Sequence, residues 1–123
     1  MYLDHASTTP MDRRVFSVMK KVIKKSYGNQ GGFYKLGINT ANIISDSRKK
    51  IASLLSTTSE HVVFTRGGTE ANNIALLGTI AHFKKTNPDV IPQIITSTIE
   101  HDSILETCRH LEAEGKATVS YVS

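Results

Sequence analysis

The fold is decided by residues 61–73, which have the sequence HVVFTRGGTEANN. Residues 62–65 are all β-branched or aromatic, which predicts a short buried strand over His61–Thr65. Two glycines, Gly67 and Gly68, then interrupt the run. Helical spacing of apolar residues follows over Ala71–Phe83, at Ile74, Leu77, Ile80 and Ala81. The segment therefore predicts a strand, a glycine loop and a helix in succession.

The same alternation continues downstream. A β-branched run predicts a second strand over Gln93–Ser97, and an alternating run predicts a third over Thr118–Val122. Between them, a helix that starts at Asp102 or Ser103 and closes at Gly115 carries an apolar stripe, made of Ile104, Leu105, Cys108 and Leu111. The order β-α-β-α-β predicts an α/β fold, a doubly wound parallel-type sheet flanked by helices.

Upstream, residues 1–60 contain predicted helices only. A threonine cap before Pro10 at the first helical position predicts an amphipathic helix over Thr9–Lys25. A second helix is predicted over Thr40–Ser56, with buried positions at Ile44, Ile51, Leu54 and Leu55. We therefore expect an N-terminal segment with helices in residues 1–60, followed by the β-α-β-α-β portion in residues 61–123.

The composition is that of a globular protein, with 39% hydrophobic and 21% charged residues. The net charge of +4 comes largely from four lysine pairs, three of them in predicted helices: Lys20-Lys21, Lys24-Lys25, Lys49-Lys50 and Lys84-Lys85. This pattern favours solvated helix faces over a nucleic-acid-binding surface. The sequence contains neither an apolar run of about 20 residues nor a signal peptide, so we expect a cytoplasmic protein without membrane spans.

The chain has one cysteine and ends on a predicted strand. A single Cys108 excludes an intramolecular disulfide and a zinc ribbon, and its place on an apolar helical stripe indicates a core residue. Because no helix follows the last strand to cover the sheet, we expect the chain to be the first part of a longer protein.

The glycine loop is a candidate phosphate site. Free amides at a helix N-terminus favour an anion; Gly67 and Gly68 leave room for its approach, and the Thr69 hydroxyl adds a donor. The loop matches neither the Walker A pattern nor Gly-x-Gly-x-x-Gly, which leaves a single phosphate monoester as the plausible ligand. The alternative is that Thr69 is an ordinary helix N-cap and the glycines only form the turn.

His101 is the second candidate. It follows the strand Gln93–Ser97, so it should point into the same crevice as Thr69, because ligands of open α/β sheets bind beyond the carboxyl ends of the strands. An imidazole there could stack on a flat cofactor ring or transfer protons. The alternative is a surface or capping histidine.

Three segments resemble the cysteine desulfurases of the class V aminotransferase family. The N-terminal run Tyr2–Pro10 resembles the opening motif of that family, and Phe64–Asn73 resembles its cofactor-phosphate loop. Residues 99–106 resemble the segment that bears the ring-stacking histidine. The resemblance spans the chain in order but covers about the first third of a family member. It implies part of the large domain of the type I pyridoxal-phosphate-dependent transferase fold, acting as a homodimer.

The resemblance also implies chemistry. Gly68 and Thr69 would hold the phosphate of pyridoxal 5′-phosphate, and His101 would stack on its ring and assist proton transfer. The reaction would convert L-cysteine to L-alanine and pass sulfur, through an enzyme persulfide, to an acceptor such as an iron–sulfur scaffold or a tRNA-thiolation enzyme.

Several family features differ or lie elsewhere. The cofactor-binding lysine, the aspartate that pairs with the ring nitrogen and the sulfur-carrying cysteine lie downstream of Ser123 in the family, so the chain alone is expected to be inactive. Lysines such as Lys20 and Lys84 are expected on solvent faces. Three positions depart from the family pattern: His5, Gln30 and Arg66. The last could either contribute to phosphate binding or face solvent.

Alternatives remain open at this stage. A selenocysteine lyase or another class V lyase would share these residues. A short non-catalytic module that binds a phosphate ligand or a desulfurase partner is a second possibility. A basic nucleic-acid binder is a third, and it rests only on the net charge.

Overall fold

In a computed structural model that describes residues 1–123, the chain divides into two compact units, Met1–Val63 and Phe64–Ser123. The first unit contains helices α1 (Arg13–Lys25) and α2 (Lys35–Leu54) and a 3₁₀ helix (Ser59–His61). The second unit contains α3 (Gly68–Thr86), β1 (Gln93–Ser97), α4 (Asp102–Ala113) and β2 (Thr118–Val122). No helix is both long and apolar enough to cross a membrane.

The second unit is built around a parallel strand pair. Strands β1 and β2 have the predicted bounds, and they pair in register from Gln93 opposite Thr118 to Ser97 opposite Val122. Helix α4 is the crossover between them, as parallel neighbours require. The predicted α/β fold with a parallel sheet and flanking helices is confirmed, although the sheet has two strands.

The core of this unit lies under α4. Leu111 and Ala117 are each 2% exposed and pack with Ile80 of α3 and with the partly buried Ile94 of β1. Cys108 is fully buried, which confirms the prediction that it is a core residue. After α4 the chain turns at Gly115, whose φ of 66° lies in the left-handed region that favours glycine.

The predicted strand over His61–Thr65 is wrong. His61 ends the 3₁₀ helix, and residues 62–65 have no regular secondary structure, although Val62 has an extended backbone. A β-branched composition indicates a preference for extended backbone, but a strand also needs a neighbour for its ladder hydrogen bonds. The sheet consists of β1 and β2 alone, and this segment pairs with neither strand.

The helix starts also differ from prediction. Helix α1 begins after Asp12, not after Thr9, because the Asp12 carboxylate accepts a hydrogen bond of 2.7 Å from the Arg14 amide and caps the helix. Helix α2 begins at Lys35, ahead of the predicted Thr40. The Thr40 hydroxyl lies 3.0 Å from the Leu36 carbonyl within the helix, so Thr40 does not cap it.

Several predicted buried positions are exposed. Helix α1 has no buried residue, and Leu54 and Leu55 at the end of α2 are 84% and 68% exposed. Ile74 and Leu77 of α3 also remain nearly half exposed. Periodicity identifies the apolar face of a helix, but burial depends on another element packing against that face.

The prediction that Lys84 lies on a solvent face is wrong. It lies in α3, which extends to Thr86, and its side chain is partly buried against the turn that follows. Its ammonium donates to the carbonyls of Pro88 at 2.7 Å and Val90 at 3.2 Å. The side chain therefore fixes the loop that leads into β1.

Candidate functional site

The glycine loop leads directly into α3. Gly67 is the N-cap, with an extended backbone and no side-chain cap, and Thr69 is the second residue of the helix. The alternative that Thr69 is an ordinary N-cap is therefore wrong. The loop is held from both sides: the Arg66 amide donates to the Glu70 carboxylate at 2.6 Å, and the Thr65 hydroxyl donates to the Gly67 carbonyl at 3.1 Å.

The first turn of α3 presents free donors. The amides of Gly68 and Thr69 have no hydrogen-bond acceptor within the chain, and neither does the Thr69 hydroxyl. The first amide of the helix to find a carbonyl is that of Ala71, which donates to Gly67 at 3.1 Å. Unpaired amides at the positive end of a helix dipole are a favourable environment for an anion.

Open space lies over the glycines. A Cβ atom built on Gly67 or Gly68 would meet no atom within 4 Å. The φ of Gly67, 166°, is extended backbone that any residue adopts. Neither packing within the chain nor backbone conformation requires glycine at these positions, so the space beside the free amides is available to a ligand.

Because the space beside Gly68 is open, we expect Gly68→Ala to weaken ligand binding without lowering the stability of the protein. We expect the substitution to leave the free energy of unfolding unchanged or slightly higher, because alanine is the better helix former. Affinity for a phosphate ester should fall, because the methyl group occupies the approach to the amides. Thermal denaturation and titration with pyridoxamine 5′-phosphate would measure the two effects.

Gly78→Ala is the matched control. Gly78 is also in α3, and a Cβ there meets no atom within 4 Å. It should stabilise the helix by about 0.5–1 kcal/mol and leave the affinity unchanged. Equal affinities of the two variants would contradict the proposed approach of the phosphate.

His101 is the N-cap of α4. Its Nδ1 accepts a hydrogen bond of 3.0 Å from the Ser103 amide. His101 is therefore a capping histidine, as the alternative interpretation predicted, but only one of its ring nitrogens takes part in the cap. The residue is exposed, and capping leaves its ring face and the opposite ring edge free to contact a ligand.

The two candidate segments meet at one cavity. A cavity of about 370 Å³ is lined by Gly68, Thr69, Asn72, His101 and Ser103. A second cavity of about 500 Å³ shares Thr69, His101 and Ser103 with it and extends between α3 and α4. The structure thus brings all three predicted site residues together.

Arg66 lines a third cavity beside the loop. This cavity, of about 470 Å³, also contains Gly67, Gly68 and Thr69 in its lining. The Arg66 side chain is exposed. Both possibilities for its guanidinium, phosphate binding and solvation, stay open.

Two polar residues at the first cavity were not singled out from the sequence. Asn72 of α3 donates through Nδ2 to the Ser103 hydroxyl of α4 at 2.9 Å, across 31 residues of sequence. The available signal was the pair Asn72-Asn73 directly before the apolar run of α3, but the partner of each could not be identified without the packing of α3 on α4.

Cys108 lies outside these cavities. Burial, together with the nearby Glu112 carboxylate, raises the pKa of its thiol above the ordinary range. A buried and protonated thiol is a poor nucleophile. The structure therefore gives Cys108 no means to accept sulfur.

The donor set fits pyridoxal 5′-phosphate. Unpaired amides and a hydroxyl suit the phosphate, and a neighbouring imidazole suits a flat ring. None of the three cavities is lined by a lysine. The chain therefore offers phosphate and ring contacts at these cavities, without a group that could bind the aldehyde there.

Free amides at a helix N-terminus beside a histidine, in an α/β unit, suit a cofactor that carries a phosphate group. The class V aminotransferase family model matches residues 1–123. The chain therefore belongs to the class V aminotransferases, a family of pyridoxal-phosphate-dependent enzymes.

Individual relatives agree with this family. The chain is 39% identical over 115 residues to cysteine desulfurase IscS of Dictyoglomus turgidum, and 33% identical over 135 residues to selenocysteine lyase of Bos taurus. These alignments cover 94% and 99% of the chain but 28% and 31% of the relatives. The chain thus spans less than a third of their length.

Solved structures agree as well. A NifS-like protein superposes with a TM-score of 0.85 at 32% identity, over 99% of this chain and 32% of that one. DndA from Streptomyces lividans superposes with a TM-score of 0.79 at 36% identity, over 100% of this chain and 33% of its own. The fold is that of the pyridoxal-phosphate-dependent cysteine desulfurases.

Proposed function

We propose that this chain provides the phosphate- and ring-binding part of a cysteine desulfurase site. The observation that carries the proposal is the cavity shared by the first turn of α3 and the His101 ring. In this proposal the amides of Gly68 and Thr69, with the Thr69 hydroxyl, bind the phosphate of pyridoxal 5′-phosphate. The His101 ring stacks on the pyridine ring. The relatives named cysteine desulfurase support the assignment over the matched length.

The residues of this chain would bind, orient and move protons. Bound pyridoxal phosphate supplies an electron sink for the substrate. His101 holds or delivers a proton at Nε2, because its Nδ1 already accepts the Ser103 amide. The substrate is L-cysteine and the product L-alanine. The sulfur-carrying cysteine is not Cys108, and the lysine that binds the cofactor is not among the cavity residues.

The wider assignments are part of the same proposal. We expect a homodimer that passes sulfur to an iron–sulfur scaffold or a tRNA-thiolation enzyme, without direct contact to nucleic acid. A cytoplasmic location stays a prediction, and relatives from Dictyostelium discoideum and Arabidopsis thaliana are named as mitochondrial.

Thr69→Val tests the phosphate site. Loss of the hydroxyl removes one hydrogen bond to a charged group, worth about 1.5–3 kcal/mol, so the Kd for pyridoxamine 5′-phosphate should rise about 10- to 100-fold. This ligand has no aldehyde, so its binding by isothermal titration does not depend on any lysine. Pyridoxamine without phosphate should bind weakly to both proteins.

Thr79→Val provides the matched control. It makes the same change on an exposed position of α3, away from the loop. Its Kd should equal that of the unmodified protein. A Kd unaffected by Thr69→Val would refute the phosphate assignment.

A selenocysteine lyase is the second candidate function. The relative from Bos taurus aligns with 99% of the chain, more than the 94% covered by the first cysteine desulfurase. Because the chain alone is expected to be inactive, rates of L-alanine formation from L-selenocysteine and L-cysteine by the full-length protein would separate the two. Cofactor binding without turnover of either substrate would favour a non-catalytic module.

A further inference from the structure

The contacts of His101 fix the roles of its two ring nitrogens. Nδ1 lies 3.0 Å from the Ser103 amide nitrogen and 3.0 Å from the Ser103 hydroxyl. A ring nitrogen that accepts an N–H has a lone pair there and no proton, so the neutral ring carries its proton on Nε2.

The Ser103 hydroxyl is itself oriented. Asn72 Nδ2 donates to its oxygen at 2.9 Å. Because that oxygen accepts from Asn72, its own proton is free to point toward Nδ1 of His101. Ser103 is 9% exposed, so water competes little for these contacts.

A second polar pair joins the same helices without touching His101. The Thr107 hydroxyl lies 3.0 Å from Asn73 Oδ1 and 2.8 Å from the Ser103 carbonyl. Like Asn72 and Ser103, Asn73 and Thr107 belong to α3 and α4 respectively. The pair is an internal control that separates helix packing from control of the imidazole.

We infer that Ser103 and Asn72 are positioning residues that hold His101 as the Nε2–H tautomer with a fixed ring orientation. The use of that proton rests on the proposed function. The chain of donors runs from the Asn72 amide through the Ser103 hydroxyl to Nδ1 and leaves the opposite edge of the ring, with its N–H, for a ligand. The neutral imidazole can then donate a hydrogen bond from Nε2–H, in a fixed direction, to a ligand in the shared cavity.

Nitrogen NMR tests the positioning directly. In protein labelled with ¹⁵N-histidine, the His101 ring signals, assigned by their loss in His101→Asn, should show the Nε2–H pattern. Ser103→Ala should move the Nδ1 resonance toward that of a nitrogen with one donor fewer. Asn72→Ala, which releases the Ser103 hydroxyl, should move the resonance in the same direction by a smaller amount. Thr107→Val should leave it unchanged. No cofactor is needed for this measurement.

Two results would overturn the inference. One is an Nδ1 resonance unchanged in both Ser103→Ala and Asn72→Ala. The other is an equal shift in Thr107→Val, because the network would then act only through helix packing. If Ser103→Ala does not fold, Ser103→Cys keeps the volume, exchanges the hydroxyl for a weaker donor and should show the same displacement.

Turnover links the positioning to the proposed function. Supporting hydrogen bonds that orient a functional histidine typically affect activity about 10- to 100-fold. In the full-length enzyme, we expect Ser103→Ala to lower kcat by such a factor, with little change in the Kd for pyridoxamine 5′-phosphate, and Ser103→Thr to restore most of the lost kcat. An NMR displacement with no L-alanine formation by the full-length enzyme would refute the proposed function and leave the positioning intact. An unchanged kcat in Ser103→Ala would refute the catalytic use of the positioned proton.

Discussion

L-alanine formation from L-cysteine by the full-length enzyme should fall about 100-fold or more when His101 is replaced by alanine, since general acid–base catalysis by a positioned side chain contributes about 10²- to 10⁴-fold. The substitution removes both the ring partner of the cofactor and the Nε2 proton. It also removes the N-cap of α4, which costs about 1 kcal/mol of stability. Single-turnover release of L-alanine, quantified by chromatography, would measure the catalytic effect.

His101→Asn separates the two roles of this residue. Asparagine is among the best N-cap residues, so stability should be retained, whereas the aromatic ring is lost. The rate should therefore fall as far as in His101→Ala while the melting temperature stays near that of the unmodified protein. A rate in His101→Asn that recovers along with stability would mean that His101 acts only as a cap.

Leu111→Ala should lower the free energy of unfolding by about 2–5 kcal/mol, the usual range for a buried leucine truncated to alanine. Leu111 is 2% exposed and lies in the cluster with Ile80 and Ala117. Truncation leaves a cavity between α4 and the elements packed against it. Urea denaturation followed by circular dichroism would measure the change.

Leu54→Ala makes the same change at an exposed helical leucine. Leu54 is 84% exposed, so its truncation should alter the free energy by no more than about 0.5 kcal/mol. If both variants lost the same stability, Leu111 could not be the centre of a packed core.

Local sequence predicts the elements that are determined by interactions among residues close together in the chain. The bounds of β1 and β2, the Asp102 start of α4 and the Gly115 turn all follow from alternation, capping and backbone preference. Gly68, Thr69 and His101 were also identifiable, because each follows a break in apolar patterning where α/β proteins place ligands.

What depends on distant partners was not predictable. The segment His61–Thr65 has strand composition but no strand beside it. The apolar residues of α1 have helical spacing, but none of them is buried. The Asn72–Ser103 hydrogen bond joins residues that come together only when α3 packs on α4. Composition and spacing indicate which backbone conformation and which buried face a segment prefers. Tertiary contacts determine whether that strand or buried face forms.

The cavity lined by Gly68, Thr69, Asn72, His101 and Ser103 contains no carboxylate, ammonium or guanidinium group. Its attraction for a phosphate therefore arises from peptide dipoles and the Thr69 hydroxyl, which keep their protons across the ordinary pH range. Acidification leaves that attraction in place, so any loss of ligand at low pH would be traced to the second ionisation of the phosphate, near pH 6. The main-chain amides of such a pocket would retain part of the affinity in a variant that lacks the Thr69 hydroxyl.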